Sequence, residues 1–181
     1  NIPEPPFRIV GSLYYVGTSE LGAYLFTTPA GHILLDGGIP ASAPLIERSI
    51  RTLGFKPEDI RILLTSQAHF DHVGTMAYFQ RLSKARVKVM RGDHGIVPDG
   101  GKSDYLFGND PDPTVRFEPV KVDDVLDDGD IVTFHGVQLE AIGDGRVRNT
   151  PVRWFALQRL VDSAPTLRKI KEQCDGSQMQ P

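Results

Sequence analysis

Three features of the amino-acid sequence predict a layered α/β domain. Short β-branched or aromatic segments alternate with amphipathic ones in the order strand, helix, strand, helix, strand. The segment 60–65 has enough apolar character for a strand buried on both faces, as parallel sheets require. A length of 181 residues, 40% of them hydrophobic, gives room for one buried core but not for two full domains.

Each element follows from its local pattern. Segments 7–10, 13–16, 23–27 and 32–36 are separated by Gly, Ser and Pro signals and predict a meander of strands. Over 42–53 the residues Ala43, Leu45, Ile46, Ile50 and Leu53 recur at three- and four-residue steps, which predicts a helix closed by Gly54. The buried strand 60–65 follows, then a helix over 75–82, after a start near Gly74, and a strand over 87–90. Segments 120–126 and 131–139 read as extended, joined by the turn Asp127-Asp128-Gly129-Asp130. His32 and His135 fall at hairpin turns, where a solvated histidine is expected, and His94 is expected at the surface. Beyond Ala141 the character changes: 143–149 predicts a mobile connection and not a strand of the main sheet. A helix-like run then ends at Val161, with Trp154, Phe155, Leu157 and Leu160 at helical spacing, and a second short helix is expected over 165–172. The expected division is therefore an ordered region, 1–141, and a divergent, partly helical tail, 142–181.

Composition removes several classes of function. The net charge is −3 and Lys and Arg are scattered, so there is no electrostatic footprint for nucleic acid or an acidic membrane. No apolar run approaches the ~20 residues of a membrane-spanning helix. The first residues, Asn1 to Pro6, do not read as a signal peptide, and a start without Met would suit a mature form from which a signal has been removed. Cys174 is the sole cysteine, which leaves no internal disulfide and no Cys-rich metal cluster. Any metal must be held by His, carboxylate or amide groups, and the expected partner is a small molecule.

The chemistry is concentrated in Gln67-Ala68-His69-Phe70-Asp71-His72, directly after the buried strand and before a helix. Carboxyl ends of strands are where α/β sheets keep ligand sites. His69 and His72 supply neutral imidazoles near pH 7 and Asp71 a hard anionic oxygen, a mixture that suits zinc. Alternation along an extended loop would send Gln67, His69 and Asp71 to one side, with the turn into the helix returning His72 toward Asp71. The plainer reading is a polar loop in which Asp71 caps the following helix and Gln67 makes ordinary hydrogen bonds.

This string resembles the His-x-His-x-Asp-His signature of the metallo-β-lactamase superfamily. Leu34-Leu35-Asp36-Gly37-Gly38 is similar to the superfamily's aspartate-glycine turn. Arg91-Gly92-Asp93, Gly100-Gly101-Lys102-Ser103-Asp104 and Val120-Lys121-Val122-Asp123 resemble segments of its third, usually dizinc, class B subclass. The likeness runs from about Ile9 to Ala141. It implies a metallo-β-lactamase-type αββα sandwich and a zinc-dependent, periplasmic or secreted hydrolase that opens the amide of β-lactam antibiotics and confers resistance to them. Gln67 and His69 would serve a first Zn2+ and Asp71 and His72 a second, with Asp36 supporting them from behind. Asp71 would be the catalytic residue, orienting the nucleophile and handling its proton. The alternatives are an inactive relative, or a superfamily hydrolase of thioesters or lactones.

The sequence departs from that pattern twice. Gln67 stands where the signature has its first histidine, and an amide oxygen is a weaker zinc donor than imidazole, although some members of the subclass carry glutamine there. The family's later Gly-His-Thr-type motif is absent beyond Ala141, so the sandwich is expected to be incomplete in its second half. The strands near 131–139 should then leave an apolar face or an unpaired edge, from which a homo-oligomer is expected.

Overall fold

The computed structural model describes residues 1–143 and 153–156. Ten strands and four α-helices follow in order: β1 (Phe7–Val10), β2 (Leu13–Tyr15), β3 (Tyr24–Thr28), β4 (Gly31–Leu35), α1 (Ala43–Thr52), β5 (Ile60–Leu64), α2 (Phe70–Val73), α3 (Met76–Ser83), β6 (Arg86–Met90), α4 (Ile96–Asp99), β7 (Asp124–Leu126), β8 (Ile131–Phe134), β9 (Val137–Gly143) and β10 (Arg153–Ala156). Strands β1 to β7 form one sheet in sequence order, and β10-β9-β8 form a second. The first four strands are joined by turns and are antiparallel. From β4 to β7 each connection carries a helix and the pairing becomes parallel.

The alternation of side chains along these strands builds two cores. Leu25, Leu34, Leu63, Val87 and Val89 face one side, where Ile46 and Ile50 of α1, Val73 of α2, Phe79 of α3 and Val97 of α4 cover them. Phe26, Ile33, Ile62, Leu64 and Met90 face the other side and meet Val132, Val137 and Leu139 of the smaller sheet. Period-2 alternation with both faces apolar is what a sheet covered on both sides requires. Each fully buried large side chain here is worth about 1.5–3 kcal/mol. The result is an α/β/β layering, with all four described helices on one side. The apolar face expected to lie open near 131–139 is closed by the larger sheet. Among the described residues β8 pairs only with β9, so the expected unpaired edge lies there, with Ile131 62% exposed.

Several expectations are corrected. Residues 131–139, read as extended with a hairpin turn at His135, are divided by that turn into β8 and β9, with His135 and Gly136 at positive φ. Regular pairing within 120–126 is confined to β7. The helix-like run after Pro151 contains a strand instead: β10 pairs antiparallel with β9, Trp154 opposite Ile142 and Phe155 opposite Ala141. Strand pairing there overrides a spacing that four apolar residues fit by chance. His32 is not solvated but buried in β4, with its ring edge-on to Phe55. The connection expected over 143–149, beyond Gly143 at the end of β9, and the helix expected over 165–172 lie outside the described residues.

Candidate metal centre

Parallel pairing of β4 and β5 puts Leu34 beside Leu63 and Leu35 beside Leu64, so the next residues, Asp36 and Thr65, leave the sheet side by side. The amide of Asp36 still donates to the carbonyl of Leu64 at 3.0 Å. Asp36 has φ of 59°, a conformation Asp tolerates better than most side chains, and this turns its carboxylate back over the end of β5. Its Oδ1 accepts from the backbone N–H of Ser66 at 2.7 Å and from Thr65 Oγ1 at 3.1 Å; its Oδ2 accepts from Ser66 Oγ at 2.7 Å.

That carboxylate orients His72. The ring Nδ1 lies 3.1 Å from Ser66 Oγ and 3.3 Å from Asp36 Oδ2. Because Ser66 Oγ spends its proton on Asp36, the consistent network has Nδ1–H donating and Nε2 carrying the lone pair. Nε2 faces the side-chain amide of Gln67 at 2.5 Å and Oδ2 of Asp71 at 3.8 Å. Burial works against the charged ring, but the hydrogen bond and charge of Asp36, with the charge of Asp71, outweigh it and raise the pKa of His72 above the ordinary imidazole value.

The loop reaches this arrangement differently from the expected extended alternation. A single helical turn, α2, begins at Phe70, four residues earlier than the predicted helix, with His72 and Val73 donating back to the carbonyl of His69. Asp71 and His72 therefore project from a helix and not from an extended strand. The turn is locked from beneath: Gly37 N donates to the carbonyl of His72 at 2.8 Å and Gly74 N to the carbonyl of Gly38 at 2.9 Å. An added Cβ at Gly37 would lie 1.9 Å from Thr75 Oγ1, so only glycine allows this approach.

Of the four predicted metal residues, Gln67, Asp71 and His72 converge. The closest contact joins Gln67 to His72, across the division expected between two zinc positions. The His69 side chain is held by another partner: its Nδ1 lies 2.6 Å from Asp104 Oδ2, and its ring is edge-on to Phe107. His94 and His135 are exposed. Ser66 is a site residue without a sequence signal of its own, although it directly follows the buried strand; Asp104 lies in the subclass-like segment 100–104, which by itself assigned it no role.

Comparison with known proteins decides the family. The model of the metallo-beta-lactamase superfamily matches residues 23–154. The chain belongs to the metallo-β-lactamase superfamily. It is similar to the FEZ-1 metallo-beta-lactamase of Legionella gormanii at 43% identity and a TM-score of 0.77, over 83% of this chain and 57% of that one. The class B3 di-zinc metallo-beta-lactamase LRA-12 from an Alaskan soil metagenome is 40% identical with a TM-score of 0.76, over 83% and 56%. The metallo-beta-lactamase GOB-18 of Elizabethkingia meningoseptica is 38% identical with a TM-score of 0.76, over 83% and 55%. This chain thus spans somewhat more than half the length of these superfamily members. No helix among the described residues is long and apolar enough to cross a membrane.

Zinc, which the family implies, can be tested against these donors. They fit in kind: an imidazole held through its other nitrogen by a carboxylate, as metal-binding histidines are, beside an aspartate and an amide. A half-turn of the Gln67 amide exchanges its NH2 for Oε1 at the same place. In number they are sparse. Among the described residues no group of three or more His, Cys, Asp or Glu converges, and three donors are reached only by counting Gln67.

Proposed function

We propose that this chain carries the strand-end metal site of a zinc-dependent hydrolase that opens the amide bond of β-lactam antibiotics. The observation that carries this reading is the orientation of His72, with Nδ1 held from behind by Asp36 and Ser66 and Nε2 turned toward Gln67 and Asp71. Relatives named as metallo-β-lactamases at about 40% identity support the substrate class, and LRA-12 is named as a di-zinc enzyme.

His72, Asp71 and Gln67 would hold the ion, with His69 a further donor. When bound, zinc polarises a carbonyl and acidifies a water. The protein's own contribution is positional. Asp36 keeps the proton of His72 on Nδ1. Asp71, whose side chain is 35% exposed, presents a carboxylate that can orient an attacking water and accept its proton. The reading includes an exported protein, periplasmic or secreted, with a small-molecule substrate.

A second reading, an inactive relative, is favoured by the sparse donor set. Zinc content of the purified protein and nitrocefin hydrolysis in added zinc discriminate between them. Zinc with turnover is the expected result for the β-lactamase. Zinc without nitrocefin turnover points to a hydrolase of thioesters or lactones, and absence of both to the inactive relative.

A further inference from the structure

We propose that Asp104 is a positioning residue for His69, fixing the ring in the tautomer whose Nε2 can serve as a donor; the metal part of this statement rests on the zinc-hydrolase reading above. Asp104 is 4% exposed and both its oxygens are engaged. Oδ2 lies 2.6 Å from His69 Nδ1, while Oδ1 accepts from the backbone N–H groups of Leu106 at 2.8 Å and Phe107 at 3.1 Å. A carboxylate only accepts, so the nitrogen facing it carries a proton. In a neutral ring the other nitrogen, Nε2, is then left with its lone pair. Buried, charge-assisted contacts of this length are strong enough to hold one tautomer.

The loop that delivers Asp104 is built to keep it in place. Gly108 N donates to the carbonyl of Asp104 at 2.7 Å, and a Cβ at Gly108 would meet that oxygen at 2.3 Å. The Arg116 guanidinium gathers the carbonyls of Phe107, Gly108 and Asp110 at 2.7, 2.9 and 3.1 Å. The ring of Phe107 stands edge-on to both His69 and Phe70, at 5.2 Å from each. His69 is thereby oriented by a residue 35 positions away and not by the strand ends that orient His72.

Asp104→Asn tests the assignment with little change of shape. Its side-chain oxygen still serves the two loop N–H groups, and two donors there keep its NH2 turned to Nδ1, where it can give a hydrogen bond but not take one. In metal-free protein with neutral rings, imidazole nitrogen NMR shifts, assigned by their loss in His69→Gln, should report Nδ1–H in the wild type and Nε2–H in Asp104→Asn. Zinc affinity should fall about 10- to 100-fold in the variant. A wild-type His69 found as Nε2–H, or the same tautomer in both proteins, overturns the proposal. A switched tautomer with unchanged zinc affinity overturns its metal clause. Should the wild type take up no zinc, the zinc-hydrolase reading fails, and the tautomer measurement still decides the role of Asp104.

Discussion

The two histidines of one six-residue string are held in different ways, and the difference separates what a sheet can build from what a loop must build. His72 is backed by Asp36 and Ser66, which leave β4 and β5 as neighbours because those strands pair in parallel. Its support is a direct product of the main sheet. His69 depends on Asp104, on a loop beyond β6 that is held by glycine turns and Arg116. A sheet-built support should be costly to remove and a loop-built one cheaper, and substitutions can test this.

The largest effect is expected at Asp36. Its replacement by Ala leaves the half-buried N–H and hydroxyl donors of Ser66 without their acceptor, at about 1–3 kcal/mol, and puts Ala into a left-handed conformation, at about 1–2 kcal/mol. Urea denaturation should show Asp36→Ala destabilised by about 2–5 kcal/mol, and more than Asp104→Ala. Equal losses for the two variants would erase the contrast between sheet and loop.

Next is Gly37→Ala, whose Cβ would collide with Thr75 Oγ1 beneath the His72 turn. Overpacking of this kind costs about 1–3 kcal/mol. Thr75 Oγ1 is buried and has no hydrogen-bond partner among the described residues, so Thr75→Ala removes the obstacle without breaking a bond. The double variant should recover much of the loss. Strict additivity in the double-mutant cycle would mean that the two sites do not touch.

The smallest effect concerns His32, at the opposite end of β4. Burial lowers its pKa, helped by Arg61 and opposed by the Gly31 backbone and Asp59, whereas His72 is raised. A folded-state pKa below the unfolded value of 6.5 means that the unfolded chain binds the proton first. Stability contributed by neutral His32 is therefore lost as pH falls through about 6.5 toward the folded pKa. In His32→Phe this acid-induced loss should vanish, while the contribution of His72, whose raised pKa stabilises the fold as pH falls, stays. Parallel stability curves for the two proteins through that window would show that His32 is not titrating as its burial requires.

Much of the sheet was legible in the sequence because its signals are periodic. The meander, α1 and the buried β5 follow from alternation, from three- and four-residue steps and from Gly and Pro punctuation. The place of Asp36 behind the motif was legible only through the resemblance to the superfamily's aspartate-glycine turn, since the residue by itself suggested a carboxylate that stabilises its own turn. What escaped has no period to read. The single turn α2 is four residues long, too short to show helical spacing. Trp154 and Phe155 fit a helix and a strand equally well until β9 supplies a partner. His32 sits beside a Pro-Ala-Gly turn that suggests exposure, and only its register opposite Ile60 buries it. Asp104 is remote in sequence from His69, and nothing local marks it as a partner.

The central claim, that the string 67–72 is a sparsely furnished zinc site centred on His72, is most directly tested by calorimetric zinc titration of the wild type, His72→Ala and Gln67→His at one pH. A full four-ligand site is worth ~10–16 kcal/mol, and about half of that corresponds to a dissociation constant between ~1 μM and ~1 mM for the wild type. His72→Ala should abolish binding, and Gln67→His, which restores an imidazole donor, should tighten it. Identical affinity and stoichiometry in all three proteins would mean that neither Gln67 nor His72 faces a metal, and would contradict the account.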